Sequence, residues 1–249
     1  MKDLSICIVA YNDEEDVLTA VKTLTEYTPS SFSKTVYIVD NSDRPNGLKE
    51  KLQEYPNVEY RKPDKNLGFG GGQNFVIPEL DSKYHAIVNP DIVFMSDAFS
   101  PLVKFMEEHD CGMAVPRMTD EEGNLLKVYR LDPTPFDMFI RMFLKSCFKK
   151  RQARHTMQDM DYTRPFKVPF AQGSFLFVRT DIYRELKGFD ENFFLYMEDA
   201  DLCRRVNAVS SLLYCPDATV VHKWGRGSHK SFRLFCLHVS SMVKYFIKW

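Results

Sequence analysis

A chain of 249 residues with 44% hydrophobic and 14% aromatic side chains has ample material for a large core, which excludes an intrinsically disordered protein. Its formal net charge of −1 provides no bulk field to attract nucleic acid. No apolar run approaches the length of a membrane span.

Residues 4–10 form an apolar run that reads as a buried strand, and 14–27 place Val17, Val21 and Leu24 on one helix face. Strands follow at 35–39, 58–61, 84–88 and 112–115, with helices at 47–54, 71–79 and 98–108. This alternation implies right-handed βαβ units: an α/β fold with a Rossmann-like, mostly parallel central sheet flanked by helices. Ligands of such sheets sit beyond the carboxyl ends of the strands, where Asp40 and Asp91 both fall.

The second half is less regular. Residues 136–148 read as a basic amphipathic helix, running into a segment up to Arg164 polar enough to be mobile. Residues 167–178 are strand-like but interrupted at Gln172-Gly173; 200–208 is helical, and 212–215 and 219–221 are short strands. The stretch 232–249 carries a helical stripe of Phe232, Phe235, Val239, Met242, Val243, Phe246 and Trp249, the usual mark of a core-facing helix. No internal repeat or Gly/Ser linker divides the chain.

Several motifs carry chemistry, each with a plainer structural alternative. Asn89-Pro90-Asp91 delivers two polar side chains to one side of an extended backbone at a strand end. A divalent cation bearing a diphosphate needs a carboxylate offered in that way, although Asn-Pro and Pro-Asp are also ordinary turn signals. Asp40 could accept from the imide N–H of a uracil or thymine, or cap a turn. Four glycines within 68–72 allow close backbone approach to a ligand ahead of a helix N-terminus, or simply a flexible loop.

Glu198, Asp199 and Asp201 open a helix, where acids suit the dipole. One of them facing a cleft could instead take the proton of an acceptor hydroxyl, while Asp201 and Arg205 have the spacing of a structural pair. His222 could ligate a metal, and Arg226, His229 and Lys230 could neutralise a diphosphate or form a solvated basic loop.

The six cysteines include no CxxC pair and read as reduced, mostly structural thiols. No basic leader precedes the first strand, so a cytoplasmic location is expected. Cations without acids cluster at 141–155, and no Asp or Glu follows Asp217. These stretches, with the C-terminal stripe, point to peripheral contact with an anionic membrane, at its inner face.

In chain order, Ile8-Val-Ala-Tyr-Asn12, Val39-Asp40-Asn41-Ser42, Asn66-Leu-Gly-Phe69 with Asn74, Asn89-Pro-Asp91, Gln172-Gly-Ser174, Gly188-Phe-Asp190, Glu198-Asp199-x-Asp201-Leu-Cys-x-Arg205 and His222-x-x-Gly225 resemble the inverting family 2 glycosyltransferases of the GT-A fold. The likeness spans nearly the whole chain and is strongest to the WbbL-like bacterial rhamnosyltransferases.

The resemblance implies one domain over 1–249. Its parts would be a nucleotide-sugar-binding half (1–115), an acceptor and catalytic half (116–230) and a C-terminal amphipathic helix (231–249). Tyr11 and Asp40 would hold the nucleobase, with Asn66 and Gly68 lining the nucleotide pocket. Asn89 and Asp91 would stand at the family's DxD motif, and Gln172, Gly173, Ser174 and Glu198 on the sugar and acceptor side. Asp91 and His222 would bind Mg²⁺ or Mn²⁺, and Asp199 would be the catalytic base. Asn89 in place of Asp removes one negative charge from the metal site.

The implied donor is a nucleotide sugar, dTDP-L-rhamnose or alternatively a UDP-sugar. The implied acceptor is a lipid-linked or growing glycan. A sugar-1-phosphate nucleotidyltransferase would carry a basic glycine-rich loop after the first strand, where this chain has the acidic Tyr11-Asn12-Asp13-Glu14-Glu15. A non-catalytic glycan- or nucleotide-binding module is the remaining alternative.

Overall fold

A computed structural model of the chain describes residues 1–144, 147–223 and 232–249. The strands are β1 (Lys2–Ala10), β2 (Lys34–Asp40), β3 (Val58–Arg61), β4 (Ser82–Val88), β5 (Ile92–Val93), β6 (Met113–Thr119), β7 (Phe166–Lys167), β8 (Phe175–Arg179) and β9 (Leu212–His222). The helices are α1 (Glu14–Tyr27), α2 (Leu48–Lys51), α3 (Gly68–Asn74), α4 (Phe99–His109), α5 (Pro135–Phe143), α6 (Lys149–His155), α7 (Thr180–Glu185), α8 (Glu198–Val209) and α9 (Phe232–Lys248).

One sheet takes all these strands in the order β3-β2-β1-β4-β8-β6-β9-β5, with β7 paired to β9. The expected parallel block is β3-β2-β1-β4. Beyond it β8 runs antiparallel to both β4 and β6, while β6 and β9 are parallel to each other. Because β8 lies between β4 and β6, the two halves of the chain share one sheet and one core.

Local sequence explains the elements. In α1, Val17, Ala20, Val21 and Leu24 are buried at helical spacing, while Glu14, Glu15 and Asp16 meet the positive end of the helix dipole. Burial of Val17, Val21 and Leu24 contributes about 1.5–3 kcal/mol each. Central strand β1 is buried continuously from Leu4, as a strand covered on both faces must be.

The expected helix over 136–148 is shorter. Thr134 caps α5 by accepting from Asp137 N–H at 3.1 Å, Pro135 fills its first turn, and the helix ends at Phe143. A positive φ of 55° at Phe148 separates it from α6. The segment up to Arg164 is not a loose tether: it contains α6 and buries Met157 and Tyr162. Its polarity misled because every second or third apolar residue is enough to anchor it.

The glycine helix also starts earlier than expected, at Gly68 rather than Gly71, and ends at Asn74 before a short 3-10 turn. Its glycines meet protein. A Cβ on Gly72 would lie 2.9 Å from Val9, one on Gly70 2.8 Å from the Phe189 Cβ, and one on Gly68 2.1 Å from the Phe194 carbonyl oxygen.

Gly68 has φ +75°, so Gly68→Ala adds about 1–2 kcal/mol of backbone strain to that clash. Its melting temperature is expected to fall by about 5 °C or more, with a loss of turnover. Gly123→Ala, at φ +83° with open space around it, is expected to show the strain alone. Equal melting in the two variants would refute close packing at Gly68.

Candidate active site

Three chain segments converge at the carboxyl end of β4. Asn89 leaves β4 and donates its N–H to the Ser174 carbonyl at 2.8 Å, tying it to the loop that enters β8. In that loop the Gly173 N–H donates to Asp199 Oδ2 at 3.2 Å, and Asp199 Oδ1 accepts from Ala200 N–H at 2.8 Å. A Cβ on Gly173 would stand 2.9 Å from the Phe69 ring, so only glycine brings this loop so close. Positive φ of 70° at both Tyr196 and Met197 turns the chain sharply into α8 and sets Glu198 and Asp199 at its first turn.

An open cleft of about 230 Å³ is lined by Phe69, Asn89, Gln172, Gly173, Ser174, Leu195, Glu198, Asp199 and His222. Asp91 joins from the adjoining turn: β5 pairs Ile92 with His222, and His222 Nε2 lies 3.1 Å from Asp91 Oδ2. The backbone locks the same corner, with Lys223 N–H donating to the Asp91 carbonyl at 3.0 Å. Asn89, Asp91, Gln172, Gly173, Ser174, Glu198, Asp199 and His222 are thus brought together from positions far apart in the chain.

Burial pushes the Asp199 carboxyl above the usual carboxylate range, opposed by the two N–H donors and the Arg130 charge. Glu198, 5% exposed, is driven well above its ordinary value by burial and then by the Asp199 charge, and its Oε2 has no partner. Asp199 has the donors and Glu198 Oε2 has none, so a single negative charge on the pair is favoured on Asp199.

The nucleotide-side residues are placed differently from one another. Tyr11 is exposed, its hydroxyl donating to Asp43 at 3.2 Å, beside Asn12, which donates to the other Asp43 oxygen at 2.8 Å. Asp40 is 1% exposed and accepts from Ser42 N–H (2.9 Å), Asn46 (3.0 Å) and the Tyr60 hydroxyl (2.7 Å). Burial raises its pKa, but these bonds outweigh that and leave it at about 2. It therefore braces the 40–46 turn, and both its oxygens are already engaged.

Asn66 folds its side chain onto the Gly68 N–H at 2.8 Å, and the Gly68 carbonyl accepts from Asn41 at 2.8 Å. Gly68 is buried with both backbone polar groups satisfied internally, and neither residue lines this cleft. Arg226, His229 and Lys230 lie outside the described residues.

Sequence reasoning missed Leu195 and Phe69 as walls, since lone apolar residues carry no signal. Burial raises Asp13 to about 6, with the charges of Asp16 and Asp91 acting in the same direction.

A family model described as glycosyl transferase family 2 matches residues 5–187. The chain belongs to this family. It is a glycosyltransferase of the GT-A fold. It is 25% identical over 209 residues to rhamnosyltransferase WbbL of Escherichia coli, covering 80% of this chain and 76% of that protein. It is 27% identical over 203 residues to the N-acetylglucosaminyl-diphospho-decaprenol L-rhamnosyltransferase of Mycobacterium tuberculosis, covering 76% of this chain and 66% of that one. The structure of GalNAc-T7 with UDP, GalNAc and Mn²⁺ superposes with a TM-score of 0.71 at 17% identity, over all of this chain and 48% of the other. This chain thus spans only about half of that larger protein.

Among the described residues no three His, Cys, Asp or Glu side chains converge as a complete metal cage. The Asp91–His222 pair nevertheless fits part of one. An octahedral cation with ligand bonds of about 2.1 Å sets adjacent ligand atoms about 3 Å apart, and the two side-chain atoms stand 3.1 Å apart. An ion held by two protein ligands would complete its shell with diphosphate oxygens and water.

Proposed function

We propose that this glycosyltransferase moves L-rhamnose from dTDP-L-rhamnose, with inversion, to a hydroxyl of a lipid-linked or growing cell-surface polysaccharide, and that it needs a divalent cation. The supporting observation is that Asp199 and His222 line one cleft and that Asp91 Oδ2 stands 3.1 Å from the His222 ring nitrogen. At about 230 Å³ the cavity is smaller than the ~300–1,000 Å³ of whole small-molecule sites. It suits the sugar end of the donor, leaving the nucleotide to lie along the ends of β1 and β2, with the base against exposed Tyr11.

Asp199 then takes the proton of the acceptor hydroxyl as its oxygen attacks the anomeric carbon, and the nucleoside diphosphate leaves on the opposite face. Gly173 and Ala200 N–H groups orient the carboxylate, and Glu198 stays neutral behind it. Asp91 and His222 would hold Mg²⁺ or Mn²⁺, which when bound neutralises charge developing on the leaving diphosphate. Asn89 contributes its side chain to the same wall without adding charge.

A donor panel read by thermal shift tests the sugar and base, because a specific ligand stabilises the folded state. Stabilisation by UDP-sugars and not by dTDP-L-rhamnose would reassign the donor. Asp91→Ala is expected to weaken dTDP binding by about tenfold or more when Mn²⁺ is present, and to change nothing when it is absent. Calorimetry showing the same loss without metal would remove Asp91 from the metal site.

No helix among the described residues is long and apolar enough to cross a membrane. A cytoplasmic place at the inner membrane face accords with α9, which leaves Phe232, Phe235, Val243 and Ile247 exposed beside Arg233 and Lys244. The docked face of α9 is the one carrying Ser241 and Tyr245, so only part of the stripe expected to be core is covered.

A further inference from the structure

A second cavity adjoins the acceptor side. It holds about 160 Å³ and is lined by Arg130 and Arg141 together with Asp137, Ile140, His155 and Gln152. Through Asp137 and His155 it continues into a wider cleft of about 500 Å³ that adds Lys150, Arg151, Arg154 and one more acid, Asp132. Arg130 is tied directly to the wall of the first cavity. It exchanges backbone bonds of 2.9 and 3.0 Å with Phe170, two residues before Gln172, and its guanidinium lies 5.8 Å from the Phe170 ring centre.

The charges here do not cancel. Asp137 is engaged by Arg151 at 2.6 Å, with the His155 ring nitrogen 3.8 Å away. Neither Arg130 nor Arg141 forms an ion pair among the described residues. Burial, and after it the Arg141 charge, brings Arg130 down to about 10, so it remains cationic at neutral pH. The Asp199 charge reaches both guanidinium groups. Burial and these arginines hold His155 and His238 below the ordinary imidazole range. Asp137 is the carboxylate lining this cavity, and Arg151 already engages it; two arginines held beside it without ion pairs of their own among the described residues form a site prepared for an anion, and guanidinium groups match phosphate oxygens in geometry.

The surroundings are amphiphilic. Phe136, Phe139 and Phe148 are exposed on and beside α5 and α6, with the Phe136 and Phe148 rings 5.8 Å apart. The donor diphosphate belongs with Asp91 and His222, which leaves this second anion site to the other substrate.

We infer that Arg130 and Arg141 bind a phosphate or diphosphate carried by the acceptor, whose lipid chain lies against Phe136 and Phe139. This rests on the reading of Asp199 as the base that faces the acceptor. It makes the acceptor an amphiphile whose sugar hydroxyl meets Asp199 while its phosphate is held next door, rather than a neutral glycan.

The test uses the full chain with dTDP and Mg²⁺ at saturation, titrated by calorimetry with inorganic phosphate and with decyl phosphate below its micellar concentration. The wild type is expected to bind both, decyl phosphate more tightly. Arg130→Gln and Arg141→Gln should each weaken both by about tenfold or more. Arg164→Gln, altering an exposed arginine paired with Asp161, should weaken neither.

Undiminished phosphate binding in both arginine variants overturns the inference, as does displacement of dTDP by phosphate. Vesicles containing phosphatidylglycerol distinguish the lipid-headgroup source. If the variants lose only vesicle binding and keep phosphate binding, the arginines serve the membrane surface and the inference fails. Absence of dTDP binding in the wild type would count against the donor reading instead, and the same phosphate titrations without nucleotide would still judge the arginines.

Discussion

Asp199→Asn is expected to lower turnover by about 10²- to 10⁴-fold, the range that a positioned general base supplies, while dTDP binding and the fold persist. The substitution keeps the shape of the side chain and an oxygen that can accept from the Gly173 or Ala200 N–H, so the loop entering β8 keeps its anchor. It removes only the charge and the basic site. Because burial raises the Asp199 pKa, the charge is held at a cost, and the asparagine variant should melt at the same temperature as the wild type or higher.

The sign of the pH dependence follows. The base must be ionised, so kcat/KM should climb with pH and level off above a midpoint higher than the ordinary carboxylate value of about 4. Stability runs the other way. An acid whose folded pKa is raised contributes most below its unfolded pKa, and that contribution is lost as pH rises through the folded value.

Glu198→Gln separates the two carboxyls. If Glu198 is already neutral, the acidic limb of the profile barely moves; a clear downward shift of that limb would show that both carry charge at working pH. Unchanged turnover in Asp199→Asn would remove the assignment of the base altogether.

The first half of the fold was legible because β1, β2 and β4 are covered on both faces and alternate with an amphipathic helix. Continuous apolar runs and a 3.6-residue period are the strongest signals a sequence offers. The second half was less so. Strand β8 runs antiparallel between β4 and β6, a placement fixed by long-range pairing that leaves no local mark. The residues with chemically distinctive side chains that the sequence singles out lie near one another: Asn89, Asp199 and His222 line one cleft and Asp91 stands 3.1 Å from His222.

Backbone packing was less legible. The glycines of α3 looked like room for a ligand but serve close packing on Val9, Phe189 and the 194 carbonyl. Asp40 reads from sequence as a base acceptor or a turn cap; that the Tyr60 hydroxyl also donates to it is a tertiary contact no local pattern shows. Arg141 was visible as the start of the 141–155 cation cluster, but that Arg130 stands in the same cavity is recognisable only once the fold is known.

Asp201→Ala is expected to be the most destabilising single change near the site. Asp201 is fully buried and receives three donors: Arg205 Nε at 2.7 Å, Lys248 Nζ at 2.6 Å and the Trp249 indole N–H at 3.0 Å. The expected i,i+4 partnership with Arg205 is therefore one part of a hub. Arg205 also donates to the carbonyls of Leu186 (2.9 Å) and Gly188 (2.8 Å), while Lys248 also pairs with Asp190 at 2.7 Å. The hub joins α8, the 186–190 turn and α9.

Removing one partner of a buried ion pair costs about 3–5 kcal/mol because the other charge is left without compensation. Lys248 is partly exposed and keeps Asp190, so the lower end, about 3 kcal/mol, is expected, a fall in melting temperature of roughly 6–12 °C. Turnover should suffer as well, since α9 also holds the loop before the base: Ser241 donates to the Leu195 carbonyl at 2.8 Å and Lys244 to that of Asn192 at 2.7 Å.

Lys248→Met alone leaves Asp201 its bonds from Arg205 and Trp249 and should cost much less. A double-mutant cycle of Asp201 and Lys248 should then return a coupling of about 0.5–3 kcal/mol, as for residues in direct contact. If Asp201→Ala melted with the wild type and kept its turnover, α9 would have no part in setting the loop that presents Asp199.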